Sequence, residues 1–346
     1  MTAELTFDSE TVELPLSTPF TIARGTTTTT ENVVVSISYD GETGYGAAAP
    51  SPRYGETIAT VEAVLPDLLD VVAEVGDPFA RKQIADRMLE RVRGNAAARA
   101  AIDIALWDLA GKCTDRPVYQ LLGLSPECTV PTSYTIGIDD PESMKRRART
   151  AVDHGFPIVK LKLGTLQDLE IVENVREGVD EARIRVDANE AWTPKEAVRK
   201  IEALSSFDVE FVEQPVPADD ADGLRYVYER SPLPIAADES CLTAPDVPDI
   251  ADRCDVANLK LMKTGGITPA LELINTARAH NLEVMCGCML ESNASIAGGA
   301  QLLPLLDFAD LDGSLLLDSD PYEGIPVQEG SFALETVERG IGAKPG

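Results

Sequence analysis

Residues 158–187 read IVKLKLGTLQDLEIVENVREGVDEARIRVD and contain the repeating unit that decides the fold. An apolar strand is predicted at Ile158–Leu163, a helix-like segment follows at Asp168–Val179, and a second strand covers Ile184–Asp187. The same alternation runs through the chain after Pro131, where the other predicted strands are Ser133–Ile138, Val209–Glu213, Ile235–Asp238, Val256–Met262, Glu283–Cys288 and Ser314–Leu317. Strands that alternate with helices predict parallel βα units, and eight such units can close a barrel.

Polar residues recur at one point of each unit, where the predicted strand ends. Steps of 25, 26, 25 and 25 residues join Lys162, Asp187, Glu213, Asp238 and Lys263. Further steps of 27, 28 and 27 residues extend the series to Thr135, Glu291 and Asp318. The C-terminal ends of parallel barrel strands meet at one mouth, where barrel active sites lie, so we expect these side chains to converge there. A single polar residue after a strand is usually an ordinary loop residue, but a series in phase favours a site.

Three acidic residues of this series predict a metal site. Asp187, Glu213 and Asp238 are expected to end successive strands and to form a ligand set made of oxygen atoms. Hard oxygen ligands favour Mg2+, and Mn2+ shares this preference, so one such ion per active site is predicted. The alternative is that the acids cap the helices that follow, since acidic residues favour helix N-termini.

Two lysines flank the acidic residues in the series, Lys162 before them and Lys263 after them. Because side chains alternate along a strand, Lys160 and Lys162 are both predicted to point into the barrel. On the sixth strand, an inward Lys263 implies an outward Lys260. Burial and nearby positive charge lower the pKa of a lysine and make it a better base. Two such lysines are suited to a 1,1-proton transfer, in which one removes a proton beside a carboxylate and the other returns a proton to the opposite face of the enediolate.

The composition restricts the partners and the setting of the protein. Its 346 residues carry 58 acidic and 30 basic side chains, which give a net charge of −28. No nucleic acid partner is expected, because phosphate backbones attract basic surfaces. So acidic a surface repels itself in dilute buffer, which favours a halophilic protein in a salty cytosol, with an ordinary acidic enzyme as the alternative.

Cysteine usage and hydropathy add further expectations. The six cysteines form no CxxC pair and the chain has two histidines, so neither a zinc site nor a disulfide framework is expected. Met1–Leu16 does not resemble a signal peptide, and no apolar stretch is long enough to span a membrane. These features favour a cytoplasmic protein that does not act on membranes.

The N-terminal part of the chain has a different pattern and is predicted to form an α+β domain. Thr30–Tyr39 is rich in β-branched residues and is followed by the turn sequence Asp40-Gly41. Asn95–Lys112 has the composition of a strong helix. We expect this domain to cover residues 1–125, the barrel to cover 126–320, and a C-terminal segment to cover 321–346.

These segments resemble the enolase superfamily, in its muconate-lactonizing subgroup, over nearly the whole chain. The resemblance rests on AIDIALWDLAGK at Ala101–Lys112, KLK at Lys160–Lys162, DANEAW at Asp187–Trp192, EQP at Glu213–Pro215, DES at Asp238–Ser240 and KTGGI at Lys263–Ile267. It implies a (β/α)7β barrel of TIM type, with an α+β capping domain formed by the N-terminal region and the C-terminal tail. It also implies catalytic roles for Lys162, Lys263 and Lys160, with Asn189 and Glu239 supporting the metal ligands.

Within this subgroup the chain is most similar to the dipeptide epimerases, the L-Ala-D/L-Glu epimerase group. The similarity rests on Arg24, on Cys288–Glu291, and on Asp318-Ser319-Asp320 after the predicted eighth strand. It implies that Asp318 and Asp320 bind the free ammonium of a dipeptide. Arg24 is expected to bind an acidic side chain on the second residue, a role that Arg53 could also fill.

Other functions share this scaffold and stay open at this stage. Thr135 and Glu291, which lie in the same series of strand ends, are expected to contact the substrate. An o-succinylbenzoate synthase or a muconate-type cycloisomerase would use the same lysines and metal, but its substrate would carry no ammonium. A non-catalytic barrel that only binds a ligand is the third alternative. A homo-oligomer is compatible with the sequence.

Overall fold

The computed structural model describes residues 4–127 and 129–346, and it confirms the predicted barrel with a capping domain. Cys128, one of the cysteines in the sequence analysis, lies outside the described residues. In the described part of the chain, none of the helices combines the length and the apolar character needed to cross a membrane.

The capping domain begins with an antiparallel sheet, whose strands are β1 (Thr6–Ile22), β2 (Gly25–Tyr39) and β3 (Glu42–Ala48). Asp40 and Gly41 form the tight turn between β2 and β3, and both have positive φ angles, 52° and 83°. The helices of this domain are α1 (Ile58–Val75), α2 (Arg81–Arg91), α3 (Ala96–Cys113) and α4 (Val118–Leu121). The β-branched run of β2 is buried on both faces, because Val33 and Val35 lie in the main core and Val34 packs with Ala294 and Tyr322 on the opposite face. This explains why apolar and polar residues alternate so weakly there.

Helix α3 lies directly on β3, and glycine makes the close approach possible. A Cβ atom at Gly44 would lie 2.1 Å from the carbonyl oxygen of Ala105, and one at Gly46 would lie 2.2 Å from that of Ala101. Most of α3 is buried, since it is enclosed by the sheet on one side and by barrel elements on the other. This helix therefore joins the capping domain to the barrel.

Within the described residues, the barrel consists of eight parallel strands in sequential order. They are β4 (Tyr134–Ile136), β5 (Ile158–Lys162), β6 (Arg183–Asp187), β7 (Val209–Glu213), β8 (Ile235–Ala237), β9 (Val256–Lys260), β10 (Glu283–Gly287) and β11 (Phe308–Asp310). The helices that follow them are α5 (Pro141–Asp153), α6 (Asp168–Gly178), α7 (Pro194–Leu204), α8 (Ala221–Tyr228), α9 (Val247–Ile250), α10 (Leu261–Thr264), α11 (Ile267–Ala279) and α12 (Asn293–Ala300). A parallel bridge between Thr132 and Ala309 joins the two edge regions and brings the sheet close to a closed cylinder.

The predicted eighth strand is in the wrong place, and the predicted sixth strand is too long. The eighth strand is β11, and the predicted strand Ser314–Leu317 is instead largely a 3-10 turn at Gly313–Leu316. The apolar side chains of that segment were mistaken for barrel core, but they contact β1, where Leu16 bridges to Leu317. The sixth strand ends at Lys260 and not at Met262, because the chain turns there into α10.

The C-terminal tail returns to the capping domain, as the resemblance implied. Its short strands are β12 (Tyr322–Glu323), β13 (Val327–Gln328), β14 (Ser331–Phe332) and β15 (Lys344–Pro345). The backbone N–H of Ile341 donates to the buried Asp108 carboxylate of α3 at 2.9 Å, and the Ile341 carbonyl accepts from Gln301 at 2.8 Å. These contacts fix the tail between α3 and α12.

Candidate active site at the barrel mouth

A cavity of about 480 Å³ lies at the C-terminal end of the barrel strands, between the barrel and the capping domain. The barrel contributes charged and polar side chains to it, among them Lys162, Asn189, Lys260, Asp310 and Asp312. The capping domain contributes the turn between β1 and β2 and the segment from Ala49 to Arg53. This is the position in which barrel enzymes hold their substrates.

The three acidic residues predicted to bind a metal lie side by side in the structure. Asp187 and Glu213 are the last residues of β6 and β7 and are paired in register, and Asp238 directly follows β8. All three side chains are completely buried. Isolated buried carboxylates are costly, so each of them needs a positively charged partner.

Lysines supply that positive charge. Lys162 Nζ lies 2.6 Å from Asp187 Oδ2, and Lys260 Nζ lies 2.8 Å from Asp238 Oδ2. Lys160 Nζ is enclosed at 2.6, 2.7 and 3.2 Å by the carboxylates of Asp310, Glu213 and Asp187. The mouth is therefore a compact network of alternating charges.

The electrostatics of the network follow from burial and charge together. Burial raises the pKa of Glu213 to about 7, and the neighbouring Asp187 carboxylate adds to the effect. Burial opposes ionisation of Asp238 as well, but the ammonium groups of Lys260 and Lys263 outweigh it and hold the pKa of Asp238 far below its usual range. The Asp238 carboxylate in turn raises the pKa of Lys260 well above normal, although burial lowers it. The expected lowering of a lysine pKa is therefore not present at Lys260, whose ammonium faces a carboxylate oxygen of Asp238.

The residues at the mouth fit a divalent cation with oxygen ligands. Among the described residues, three buried oxygen atoms at the mouth have no hydrogen-bond partner, namely Glu213 Oε2, Glu239 Oε2 and Asn189 Oδ1. Lys160 Nζ lies near the first of them, at 2.7 Å. Burial and repulsion from Asp187 both raise the pKa of Glu213, and a cation would stabilise its charged form against both. In the described residues, no three acidic, histidine or cysteine side chains already surround one point, because the carboxylates face lysines. Binding a cation thus means exchanging lysine contacts for metal contacts.

The structure corrects the orientation predicted for the sixth strand. Lys260 points into the barrel and lines the cavity, whereas Lys263 lies on α10 with a side chain that is 0% exposed. Because β9 ends at Lys260, the strand alternation that was extended to Lys263 does not apply there. The Thr-Gly-Gly sequence directly after Lys263 was the available signal, since two glycines mark a chain that has already left the strand.

An aspartate pair lies at the end of the eighth strand, but this pair is Asp310 and Asp312 and not the predicted Asp318 and Asp320. Asp310 ends β11, and Asp312 follows it at the cavity wall. Asp318 is exposed, and Asp320 accepts hydrogen bonds from Ser292 and from the Asn293 N–H at the start of α12. The predicted position of Asp318 and Asp320 at the end of a barrel strand is therefore wrong. The signal for the true pair was the short apolar sequence Phe308-Ala309 immediately before Asp310.

The pKa values of Asp310 and Asp312 are shifted in opposite directions. Burial raises the pKa of Asp312 to about 7, and the adjacent Asp310 carboxylate reinforces this. Burial acts on Asp310 too, but Lys160 and Lys162 outweigh it and lower the pKa of Asp310. Thr135 is placed between them, since its N–H donates to Asp312 Oδ2 at 2.5 Å and its hydroxyl donates to Asp310 Oδ1 at 3.3 Å. Thr135 lines the cavity, as its position in the series suggested.

The remaining predicted residues lie in two different environments. Asn189 lines the cavity, and its side-chain amide donates to Asp187 and to Glu239, each at 3.3 Å, so both predicted supporting side chains lie beside Asp187. Glu291 is buried away from the cavity lining, and its carboxylate accepts from the Met289 N–H and from the Ser295 hydroxyl. The structure therefore shows Glu291 stabilising its own loop rather than facing the mouth.

Two arginines of the capping domain are tied to the barrel by Glu190, a residue that the sequence analysis did not single out. Arg53 forms a bidentate ion pair with Glu190, with both contacts at 2.6 Å. Arg24 donates to Glu190 at 3.1 Å, to the Asn189 carbonyl at 3.0 Å and to Glu239 at 2.9 Å. Both guanidinium groups line the cavity, and both are held there by barrel carboxylates.

Family models match both parts of the chain. Residues 6–123 match the mandelate racemase/muconate lactonizing enzyme N-terminal domain, and residues 143–345 match the enolase C-terminal domain-like family. An L-Ala-D/L-Glu epimerase of Bacteroides thetaiotaomicron is 40% identical over 333 residues, which are 95% of this chain and 85% of that protein.

Solved structures give the same result. The substrate-liganded L-Ala-D/L-Glu epimerase of Bacillus subtilis superposes with a TM-score of 0.93 at 31% identity, over 100% of this chain and 99% of that one. The dipeptide epimerase of Enterococcus faecalis V583, complexed with Mg and L-Leu-L-Tyr, superposes with a TM-score of 0.91 at 34% identity, over 99% and 100%. This chain therefore belongs to the mandelate racemase/muconate lactonizing enzyme family of the enolase superfamily, in its dipeptide epimerase group.

Proposed function

We propose that this protein is a Mg2+-dependent dipeptide epimerase that inverts the α-carbon of the second residue by a 1,1-proton transfer. The observation that carries the proposal is the placement of two lysines. Lys162 ends β5 and Lys260 ends β9, so they flank the three carboxylate-bearing strands from opposite sides and both line one cavity. A substrate carbon between them is accessible to an ammonium group or an amine on each face.

Each residue has a distinct part in the proposed reaction. Asp187, Glu213 and Asp238 would hold Mg2+, which when bound stabilises negative charge on the terminal carboxylate of the substrate. One of Lys162 and Lys260 removes the α-proton as a neutral amine, and the other donates a proton to the opposite face. Lys160 is enclosed by carboxylates and stays charged, so it neutralises the site and does not exchange protons with the substrate.

Asp310 and Asp312 would bind the free ammonium of the dipeptide. Burial raises the pKa of Asp312 and repulsion from the Asp310 carboxylate adds to the effect, so a cationic ligand at the cavity wall would stabilise the charged carboxylate. Hydrogen bonds to charged groups of this kind are worth about 1.5–3 kcal/mol each. Asp310 already pairs with Lys160, but the substrate of a cycloisomerase or an o-succinylbenzoate synthase has no ammonium to pair with Asp312, which favours the epimerase over those alternatives.

Arg24 supports a preference for substrates with an acidic side chain on the second residue. The contacts of Glu190 bear on this preference, because they decide how much of Arg24 is left for a ligand. Glu190 holds Arg53 through both of its carboxylate oxygens and takes one contact from Arg24. The Nε atom of Arg24 makes no hydrogen bond within the described residues, so this guanidinium keeps a donor for a ligand. We infer that Glu, as in L-Ala-L-Glu, is the leading candidate for the second residue.

The substrate class can be tested with a small panel of compounds. L-Ala-L-Glu and L-Ala-L-Leu should incorporate deuterium at the second α-carbon in D2O, followed by NMR. N-acetyl-L-Ala-L-Glu should react with a kcat/KM at least about 100-fold lower, because it loses the contacts of its ammonium with two carboxylates. Asp312→Asn should reduce this discrimination, and Asp318→Asn is the matched control that should leave it unchanged.

Two outcomes of the panel would contradict parts of the proposal. Equal rates for blocked and free dipeptides would remove the role given to Asp310 and Asp312. Faster turnover of L-Ala-L-Leu than of L-Ala-L-Glu would keep the dipeptide class and reject Arg24 as the residue that selects an acidic side chain.

We also propose a halophilic, cytoplasmic setting, supported by the net charge of −28 and by the free thiols of Cys113, Cys241, Cys254, Cys286 and Cys288. The midpoint of thermal unfolding should rise by several degrees between about 0.1 and 1 M KCl, because the screening length falls from roughly 10 to 3 Å. Most of the gain should occur below about 1 M, where screening changes fastest. A midpoint that is flat in this range, or that rises only at higher concentrations, would contradict charge screening as the cause.

A further inference from the structure

Lys263 has no place in the proposed proton transfer, yet its ammonium is completely enclosed. In the described residues, Nζ lies within 2.9 Å of four oxygen atoms. They are Oδ1 of Asp238 at 2.5 Å and the carbonyl oxygens of Asp238 at 2.7 Å, Asn258 at 2.8 Å and Cys241 at 2.9 Å. A buried ammonium is tolerated when it is paired and hydrogen-bonded in this way. The side chain is therefore a structural cation and not a free acid or base.

The two oxygens of Asp238 have different lysine partners. Oδ1 is held by Lys263, whose side chain is inaccessible, whereas Oδ2 contacts Lys260, which lines the cavity. Only the Oδ2 contact therefore faces the space where a ligand can enter. Lys263 thus fixes the orientation of the Asp238 carboxylate through Oδ1. Oδ2, on the cavity side, can exchange its lysine partner for a metal ion.

The backbone around Lys263 is fixed as well. The carbonyl contacts join the middle of β9 at Asn258 to the loop after β8 at Cys241. Gly265 and Gly266 follow with φ angles of 95° and 117°, and a Cβ at Gly266 would lie 2.4 Å from Asp103 of the capping domain. Helix α10 is thus held between the barrel and α3, so Lys263 cannot turn toward the cavity without displacing both.

We propose that Lys263 is a positioning residue, which orients Asp238 as a metal ligand and keeps Oδ2 available at the mouth. The inference rests on the proposed function, because it takes Asp238 to be a ligand of Mg2+. The proposal therefore gives different roles to Lys260 and Lys263, which lie three positions apart. Lys260 acts on the substrate, and Lys263 acts through Asp238.

Metal affinity without substrate tests this division. In isothermal titration with MgCl2, Lys263→Met should bind about 10- to 100-fold more weakly than the unaltered protein, as expected when a side chain that orients a metal ligand is lost. Lys260→Met is the matched control, and it should bind at least as tightly, because it removes a cation that competes for Asp238 Oδ2. Unchanged affinity in Lys263→Met would overturn the proposal.

Exchange of the substrate α-proton gives a second readout, at Mg2+ concentrations that saturate each variant. Lys263→Met should exchange both epimers of the dipeptide with D2O in the same ratio as the unaltered protein. Lys260→Met should exchange one epimer and lose the other. If Lys263→Met lost one epimer selectively, Lys263 would be an acid or base and the proposal would be wrong.

Two further measurements keep the inference testable if Lys263→Met does not fold. Lys263→Gln retains a hydrogen-bond donor and should bind Mg2+ with intermediate affinity. In the unaltered protein, reductive methylation followed by mass spectrometry should label Lys162 and leave Lys263 unmodified, whereas labelling of both at equal rates would contradict the burial. If Mg2+ binds as described but no dipeptide is epimerised, the proposed function fails while the role of Lys263 stands.

Discussion

Replacing either Lys162 or Lys260 by Ala should abolish net epimerisation. The loss is expected to reach about 100- to 10,000-fold, the range typical of a single general acid or base. The two lysines lie on opposite sides of the carboxylate-bearing strands, so each variant should still exchange the α-proton of one epimer with solvent. The measurement is a pair of D2O exchange experiments, one starting from each epimer, with product chirality read separately.

A matched lysine shows whether the effect is local. Lys145 lies on α5 and pairs with Glu177 on the outside of the barrel, so Lys145→Ala should retain full activity. Circular dichroism and thermal unfolding should confirm that the active-site variants remain folded. If either active-site variant epimerised at the normal rate, that lysine would have no acid or base role. If each variant still exchanged both epimers, the lysines would not serve separate faces.

Removal of the divalent metal should also cause a large loss of activity. Dialysis against a chelator is expected to reduce activity to background, and Mg2+ should restore it, with Mn2+ as an effective substitute. The physical reason is that the substrate carboxylate cannot approach buried carboxylates without a cation between them. Activity should be measured at constant ionic strength in KCl, so that loss of metal is separated from the salt dependence of the fold.

The assignment of Asp187, Glu213 and Asp238 as metal ligands can be tested by substituting Glu213, which lies between the other two. Glu213→Gln keeps the size of the side chain and removes its charge, so it should weaken Mg2+ binding and lower activity together. Glu202, which is exposed on α7, provides the control, and Glu202→Gln should change neither quantity. Full activity in thoroughly demetallated protein would reject the metal site altogether.

The sequence alone was sufficient to locate one half of the site. Lys162, Asp187, Glu213 and Asp238 were predicted from a repeat of about one strand and one helix, and they lie together at the mouth. This succeeded because strand alternation and the length of a βα unit are local properties, and because parallel strands bring their C-terminal ends to one side of the barrel. The capping domain was visible for a similar reason, since β-branched runs and a strong helix need no knowledge of their partners.

The other half of the site depended on where the strands stop and on what packs against them. Lys260 and Asp310 were missed because the ends of β9 and β11 are set by the turn into α10 and by docking of β1 on the segment at Gly313–Leu316. An apolar run has the same local pattern whether it fills a barrel or covers a neighbouring domain. The ion pairs of Arg24 and Arg53 with Glu190 join residues that are 137 or more positions apart in the sequence. Such contacts form only because the capping domain packs on the barrel, which no local pattern in the sequence predicts.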